Sequence, residues 1–188
     1  VKTHKEIFSE IYAKNIWGGS GGGSTPENTV EYRKLLQKLL KDLGIRSVVD
    51  YGCGDWSFSR LIDWSGVWYV GIDVVESVIE SNRKKYGKPT INFHYPTYRN
   101  RADMMILKDV LQHWGNSDIV TFLANNKDRY KYILIVNSSY QASDDEDIEA
   151  GQSRGLSAKF YPLSQFGPEI IAEIKTTIVS EVSLIKNI

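Results

Sequence analysis

Two short stretches concentrate the residues able to do chemistry. In "SVVDYGCGDWSFSRLID", Ser47 to Asp63, a β-prone run ends in Asp50, Gly52 and Gly54 flank Cys53, and Asp55 follows at once. In "ILKDVLQHW", Lys108, Asp109 and His113 fall within six residues. The first is a binding pattern. Glycines at the end of a strand let backbone approach a ligand closely, and a following helix would offer free N–H groups. Dinucleotide loops use G-x-G-x-x-G for this and aim it at a pyrophosphate. Here Ser57 stands where the third glycine belongs, and Asp55 would repel a diphosphate. The expected ligand is therefore a nucleoside without phosphates. One βαβ unit later, "YVGIDVV" ends a strand in Asp73, whose carboxylate can accept two hydrogen bonds from ribose hydroxyls. The plain alternative for either acid is a helix cap.

The second stretch suits proton transfer. Asp109 and His113 are four apart, so on a helix they would share a face, and either could take a proton from a hydroxyl. The plain readings are Asp109 as a cap of the next turn and His113 packed with Trp114. The acidic run "DDEDIE", Asp144 to Glu149, could join His113 around a divalent cation. Such runs are ordinarily solvated loops, and no metal is assigned.

These residues need elements to hold them. The pattern predicts helices in "HKEIFSEIYAKNIWG" and "TPENTVEYRKLLQKLLKDLG", the latter with Pro26 near its first turn and Gly44 as its stop. "GGSGGGS", Gly18 to Ser24, cannot hold a regular element. Strands "SVVD", "VWYVGID", "TINFHY", "ADMMILKD" and "KYILIVNSS" then alternate with helices "SFSRLIDW", "VESVIESNRKKYG" and "NSDIVTFLANNKD". Strands spaced by helices imply parallel crossovers, hence an α/β class. "PEIIAEIKTT" and "VSEVSLIKNI" have no helix between them and predict a terminal antiparallel pair.

Composition narrows the partners. With 188 residues, 41% of them hydrophobic, the chain can bury one substantial core. Lys+Arg and Asp+Glu each total 23, so no basic excess points to nucleic acid. A single cysteine suits a reducing, cytoplasmic setting. No long apolar run predicts membrane insertion. A start at Val1 suggests a piece of a longer polypeptide.

"VVDYGCGDWSFS" resembles the first motif of class I S-adenosylmethionine-dependent methyltransferases, and "VGIDVV" resembles their second. More narrowly, "IYAKNIWGGSGGGS", "DYGCGDWSFSRLIDWSG", "YVGIDVV" and "LKDVLQHW" are similar to a small group from bacteria and large DNA viruses. Members of that group are often encoded beside, or fused to, glycosyltransferases. The resemblance covers the chain from about Ile11 onward. It implies a Rossmann-like three-layer sandwich whose mostly parallel seven-stranded sheet ends in an antiparallel strand. It implies N-terminal helices and a Gly-rich lid over 1–46, a methyltransferase core over 47–188, one domain overall, and S-adenosyl-L-methionine as cofactor. The residues it places on the cofactor are Tyr12, Trp17, Ser24, Asp50, Gly52, Gly54, Asp55, Trp56, Asp73, Val74, Thr97 and Lys108. Thr97 stands where the family often has an acid, and "DIEAGQSRGLSAKFYPL" is taken as divergent from the group. Asp109 and His113 become the catalytic candidates. The implied acceptor is a sugar hydroxyl of a glycan or nucleotide sugar, on which Trp56, Trp114, Tyr140, Phe160 or Tyr161 could stack. Another small molecule, a protein or RNA are the alternative acceptors, and a non-catalytic nucleoside-binding scaffold is the alternative to an enzyme.

Overall fold

Extended apolar runs have to pair their backbone groups with one another, and seven strands do so in one sheet. They are β1 (Ser47–Tyr51), β2 (Trp68–Ile72), β3 (Ile91–His94), β4 (Ala102–Lys108), β5 (Tyr130–Ser138), β6 (Glu169–Lys175) and β7 (Val179–Lys186). Their order is β3-β2-β1-β4-β5-β7-β6, in a mostly parallel, Rossmann-like arrangement. The structure, a computed structural model, describes residues 2–98, 101–144, 146–176 and 179–187. Val1, Asp145, Thr177 and Ile188, which figure in the sequence expectations, lie outside the described residues. The chain packs as two units, Val1–Asp103 and Met104–Ile188.

In the first unit, α1 (His4–Ala13) starts at a capping box: Thr3 Oγ1 accepts from the Glu6 N–H, and the Thr3 N–H donates to Glu6 Oε2 at 2.7 Å. Helix α2 (Val30–Asp42) buries Tyr32, Leu36 and Leu40, one face at four-residue spacing. It begins four residues after Pro26, which sits in the preceding turn rather than in the helix. Strands β1, β2 and β3 pair in parallel, Val49 opposite Val70 and Gly71 opposite Phe93. Helix α3 (Glu76–Tyr86) buries Val78, Ile79 and Asn82. The start of β1 is held by Asp103, whose Oδ2 accepts from the Arg46 and Ser47 N–H groups at 2.9 and 3.0 Å.

The second unit is built on Met104–Leu107 and Ile133–Val136, all of them buried. Helix α4 (Asn116–Asn126) adds Ile119 and Leu123. The expected antiparallel pair is present: β7 runs antiparallel to β5 on one side and to β6 on the other.

Two expected elements differ. "SFSRLIDW" is not a helix but a turn with one 3-10 stretch, Ser59–Leu61. Trp56 has φ +59°, and the Trp64 indole N–H donates to the Ser59 carbonyl at 2.9 Å, so two large rings fold the segment back on itself. No helix N-terminus therefore follows the glycine loop. "GGSGGGS" is not wholly irregular either, since Gly22–Ser24 form a 3-10 turn.

Gly71 leaves no room for a side chain between two buried groups. A Cβ there would lie 2.8 Å from Phe93 Cδ1 and 2.9 Å from Cys53 Sγ. Gly71→Ala is expected to cost about 1–3 kcal/mol through overpacking, read as a lower urea midpoint with an unchanged slope.

Candidate functional site

The loop after β1 leaves its strand and must find new partners for its backbone. The N–H groups of Gly52 and Cys53 both donate to the Ile72 carbonyl, at 2.7 and 3.0 Å. The Gly54 N–H donates to Asp73 Oδ2 at 3.1 Å, and the Gly54 carbonyl accepts from the Asn82 amide at 2.8 Å. Gly52 and Gly54 have φ of +78° and +54°, the left-handed region that glycine adopts without strain. Asp73 Oδ1 accepts from the Val75 N–H at 3.0 Å, so the acid does act as the cap that was its plain reading, and also ties β2 to the loop. With the Val74 N–H, three backbone donors meet the carboxylate's two oxygens. Asp73 is buried, and desolvation raises its carboxyl above the usual range against the pull of the Val75, Gly54 and Val74 N–H groups.

The Gly-rich segment lies on this loop. Ser20 Oγ accepts from the Asp55 N–H at 2.8 Å and sits 2.8 Å from the Tyr12 hydroxyl. Ser57 Oγ donates to the Ser24 carbonyl at 2.9 Å. A Cβ on Gly54 would approach Ser20 Oγ to 2.4 Å, so the glycine is required by the segment lying over it as well as by its φ. Burial, then the charge of Asp73, pushes the Tyr12 phenol well up, and it keeps its proton. Trp17 packs its ring on Phe8, centroids 5.9 Å apart. Ser20 and Ser57 thus tie Tyr12, Ser24 and Asp55 together by hydrogen bonds, and the backbone joins that set to Gly54 and its partner Asp73.

Other expected residues are placed differently. Asp50 Oδ2 accepts from the Tyr69 hydroxyl at 2.6 Å, and both groups are buried. Burial and the Asp50 carboxylate hold the Tyr69 phenol well above its usual range. The Trp56 ring is buried among Tyr69, Tyr86 and Phe93, centroids 5.1–5.5 Å away. Val74 is half-buried beside Asp73, and Thr97 is exposed in the turn closed by the Tyr98 N–H on the Tyr95 carbonyl. Burial pushes the Cys53 thiol up, which leaves it a packing residue.

The second unit carries the other candidates. Lys108 and Asp109 form an ion pair with side chains only 8% and 17% exposed, and Asp109 Oδ1 is buried without a hydrogen-bond partner. Asp109 has φ +55°, and Leu111–His113 is a single 3-10 turn. Asp109 and His113 therefore do not share the face of an α-helix, because the chain reverses at Asp109 before the turn begins. His113 Nδ1 lies 2.9 Å from the Gln152 carbonyl. Burial lowers the His113 pKa, while that carbonyl and the Asp109 charge act in the other direction.

The acidic run and the stretch taken as divergent prove to be the frame of this turn. Asp147 Oδ1 accepts from the Asn116 N–H at 2.8 Å, at the start of α4. The Arg154 guanidinium is buried and donates to Asn116 Oδ1 at 2.6 Å, to the Trp114 carbonyl at 3.2 Å and to the Glu146 carbonyl. The Gly151 and Arg154 N–H groups donate to the His113 and Gln112 carbonyls. Among the described residues no group of three or more His, Cys, Asp or Glu is placed to hold a metal ion. Of the aromatic candidates, Trp114 is buried against Phe122, whereas Tyr140 and Tyr161 are exposed.

Several solved structures share this fold. Magnesium protoporphyrin IX methyltransferase (ChlM) from Synechocystis PCC 6803 with bound SAM matches with a TM-score of 0.68 at 16% identity, over 98% of this chain and 97% of its own. The N-terminal domain of EvdMO1, solved in the presence of SAH and D-fucose, matches with 0.62 at 14% identity, over 88% and 84%. The O-methyltransferase NcsB1 from neocarzinostatin biosynthesis, in complex with S-adenosyl-L-homocysteine and 1,4-dihydroxy-2-naphthoic acid, matches with 0.57 at 16% identity, over 87% and 60%. The fold is the one that the sequence resemblance implied, that of class I methyltransferases. No family model matches the sequence, and no curated protein matches it.

The Ser20 hydroxyl is the point at which the Gly-rich segment is fastened. Ser20→Ala removes the acceptor of the Asp55 N–H and the partner of Tyr12. A lost hydrogen bond of about 1 kcal/mol corresponds to roughly five-fold faster exchange of the Asp55 amide, with the global melting temperature little changed. Native-state hydrogen exchange measures it.

Proposed function

We propose that the protein is an S-adenosylmethionine-dependent methyltransferase that modifies a sugar hydroxyl of a glycan or nucleotide sugar. One observation carries the cofactor assignment: a glycine loop whose backbone is fixed at the end of β1, with the buried Asp73 carboxylate bridging loop and neighbouring strand. That donor set fits a nucleoside bearing a positive sulfonium and no phosphate. Asp73 and Asp55 supply negative charge, and a diphosphate would meet acid rather than a helix N-terminus. In this reading Asp73 binds the ribose hydroxyls, and Val74 and Thr97 border the base. The backbone from Gly52 to Asp55 and the segment through Tyr12, Trp17 and Ser24 complete the enclosure, with Asp50 and Trp56 supporting the loop from within. When bound, S-adenosylmethionine supplies an electrophilic methyl group.

The chain's own task is then to orient the acceptor and take its proton. We assign that proton to His113. Its depressed pKa keeps it neutral at pH 7, and its Nδ1 is held by the Gln152 carbonyl. Asp109 is committed to Lys108 and contributes its charge beside the imidazole. The sugar acceptor is supported by the group resemblance, by the fold shared with the EvdMO1 domain solved with D-fucose, and by the exposed rings of Tyr140 and Tyr161. A longer chain carrying glycosyltransferase domains, working in the cytoplasm, belongs to the same proposal.

Calorimetry tests the cofactor: S-adenosylmethionine and S-adenosylhomocysteine are expected to bind, and NAD is not. Asp73→Ala is expected to cost about 1.5–3 kcal/mol, some ten- to a hundred-fold in affinity. No binding by the wild type overturns the reading. Binding without methyl transfer to any sugar, nucleotide sugar or glycan overturns the sugar acceptor, and leaves a methyltransferase of another small molecule, a protein or RNA, or a nucleoside-binding scaffold.

The base assignment has its own test. His113→Asn is expected to lower turnover by about 10²–10⁴-fold while cofactor affinity stays. Activity of the wild type should fall only as pH drops through a pKa below the ordinary 6.5 of histidine, because only the neutral ring accepts the proton. A variant that turns over normally removes His113 from the mechanism.

A further inference from the structure

The residue before the candidate base is a buried glutamine, and it is not a packing residue alone. We propose that Gln112 is a positioning residue: before the acceptor enters, its NH₂ faces His113 Nε2 and holds the imidazole in the one neutral tautomer whose Nε2 is unprotonated, a contact long enough at 3.4 Å for the acceptor hydroxyl to displace it from that lone pair. The proposal rests on the methyltransferase reading with His113 as base.

The argument is a matter of which atoms can only donate and which can only accept. The Gln152 carbonyl, 2.9 Å from His113 Nδ1, can only accept, so Nδ1 carries the hydrogen. The Ser138 N–H, 2.7 Å from Gln112 Oε1, can only donate, which settles which end of the Gln112 amide is oxygen. The remaining end is therefore NH₂, and it faces His113 Nε2 at 3.4 Å. An NH₂ group cannot accept, so Nε2 must be unprotonated for the two to be compatible. Two independent contacts, one to each ring nitrogen, select the same tautomer.

Gln112 is itself held. Its side chain is bonded to the end of β5, and its carbonyl accepts from the Arg154 N–H at 3.2 Å. A proton added at Nε2 would point at the Gln112 NH₂, so the contact opposes the imidazolium. The charged groups on the neighbouring segments do not supply this effect. Asp109 acts on the ring but favours its charged form. Lys108 is paired with Asp109. Glu146 and Asp147 act on Arg154. Glu149 meets Gln152 through its backbone N–H, which donates to Gln152 Oε1.

Gln112→Glu is the informative change. It keeps the chain length and an oxygen for the Ser138 N–H, and it replaces NH₂ by a carboxylate oxygen facing Nε2. The chain has three histidines, so His113 can be followed by ¹⁵N NMR with His4 and His94 as internal references. In the wild type the neutral His113 ring is expected to show protonated Nδ1 and unprotonated Nε2. Gln112→Glu is expected to raise its titration midpoint by about one unit or more, as an acidic neighbour does. Gln112→Met, which removes the NH₂ without adding charge, is expected to move it less and in the same direction, and serves if the first variant does not fold. The acid limb of the pH–rate profile should follow the NMR shift in the same variant. A His113 titration unmoved by both folded variants, or a wild-type ring protonated on Nε2, overturns the proposal. So does an NMR shift that the acid limb does not follow. The NMR result needs no acceptor, so it stands apart from failure of the methyltransferase reading, which would appear as wild-type protein that neither binds nor uses S-adenosylmethionine.

Discussion

A backbone that leaves a sheet inside a protein has to have every buried N–H and C=O satisfied, and the loop after β1 is governed by that requirement. Gly52 and Cys53 solve it on the Ile72 carbonyl, Gly54 on Asp73 and Asn82, and Asp55 on Ser20. The partners come from β2, from α3 and from the Gly-rich segment, so the loop can adopt its shape only when all three are in place. Asp73 is the central partner. It is costly to bury as an anion, and three backbone N–H groups offset that cost without a cation. A carboxylate held by fixed dipoles in this way is already oriented before any ligand arrives.

The second unit meets the same requirement with different means. Among the described residues of 139–162, between β5 and β6, there is no regular element, yet the backbone is well held. The Leu156 N–H donates to Ser138, the Ala158 N–H and the Ser157 hydroxyl donate to Glu181, and Arg154 gathers three acceptors around α4. Buried charge is here used as a fastener. A guanidinium with five donors can serve several carbonyls at once, which a lysine could not do with the same geometry. The 3-10 turn bearing Gln112 and His113 is held from this segment by two backbone hydrogen bonds.

Much of the fold could be read from the sequence, for a physical reason. Strands such as "KYILIVNSS" and helices such as "VEYRKLLQKLLKD" have strong periods, and the glycine loop with Asp73 one βαβ unit later is a local signal. The segment "SFSRLIDW" misled because its apolar spacing suits a helix, whereas the rings of Trp56 and Trp64 need a reversal to be buried. The relation of Asp109 to His113 misled because a left-handed residue leaves no trace in periodicity. Ser20, Asn82, Gln112 and Arg154 were missed altogether. Each has a partner far away in sequence, Ser20 in Asp55 across 35 positions, Gln112 in Ser138 across 26 and Arg154 in Asn116 across 38, and a polar residue gives no local sign of its distant partner. The acidic run is instructive in reverse. Asp147 looked like a solvated charge and proves to hold the first N–H of α4.

The place of β7 between β5 and β6 has a consequence for how the molecule comes into being. Strand β6 pairs with β7 alone, so when it leaves the ribosome it has no edge to join. It has to wait for the next segment, pair with it, and dock onto β5 through residues 42 to 54 positions apart in the chain. Until then β5 presents an open edge flanked by Ile133–Val136, the most apolar run of the unit, to whatever else is in the cell. The closing of that edge thus depends on the last strand to be synthesised of the seven.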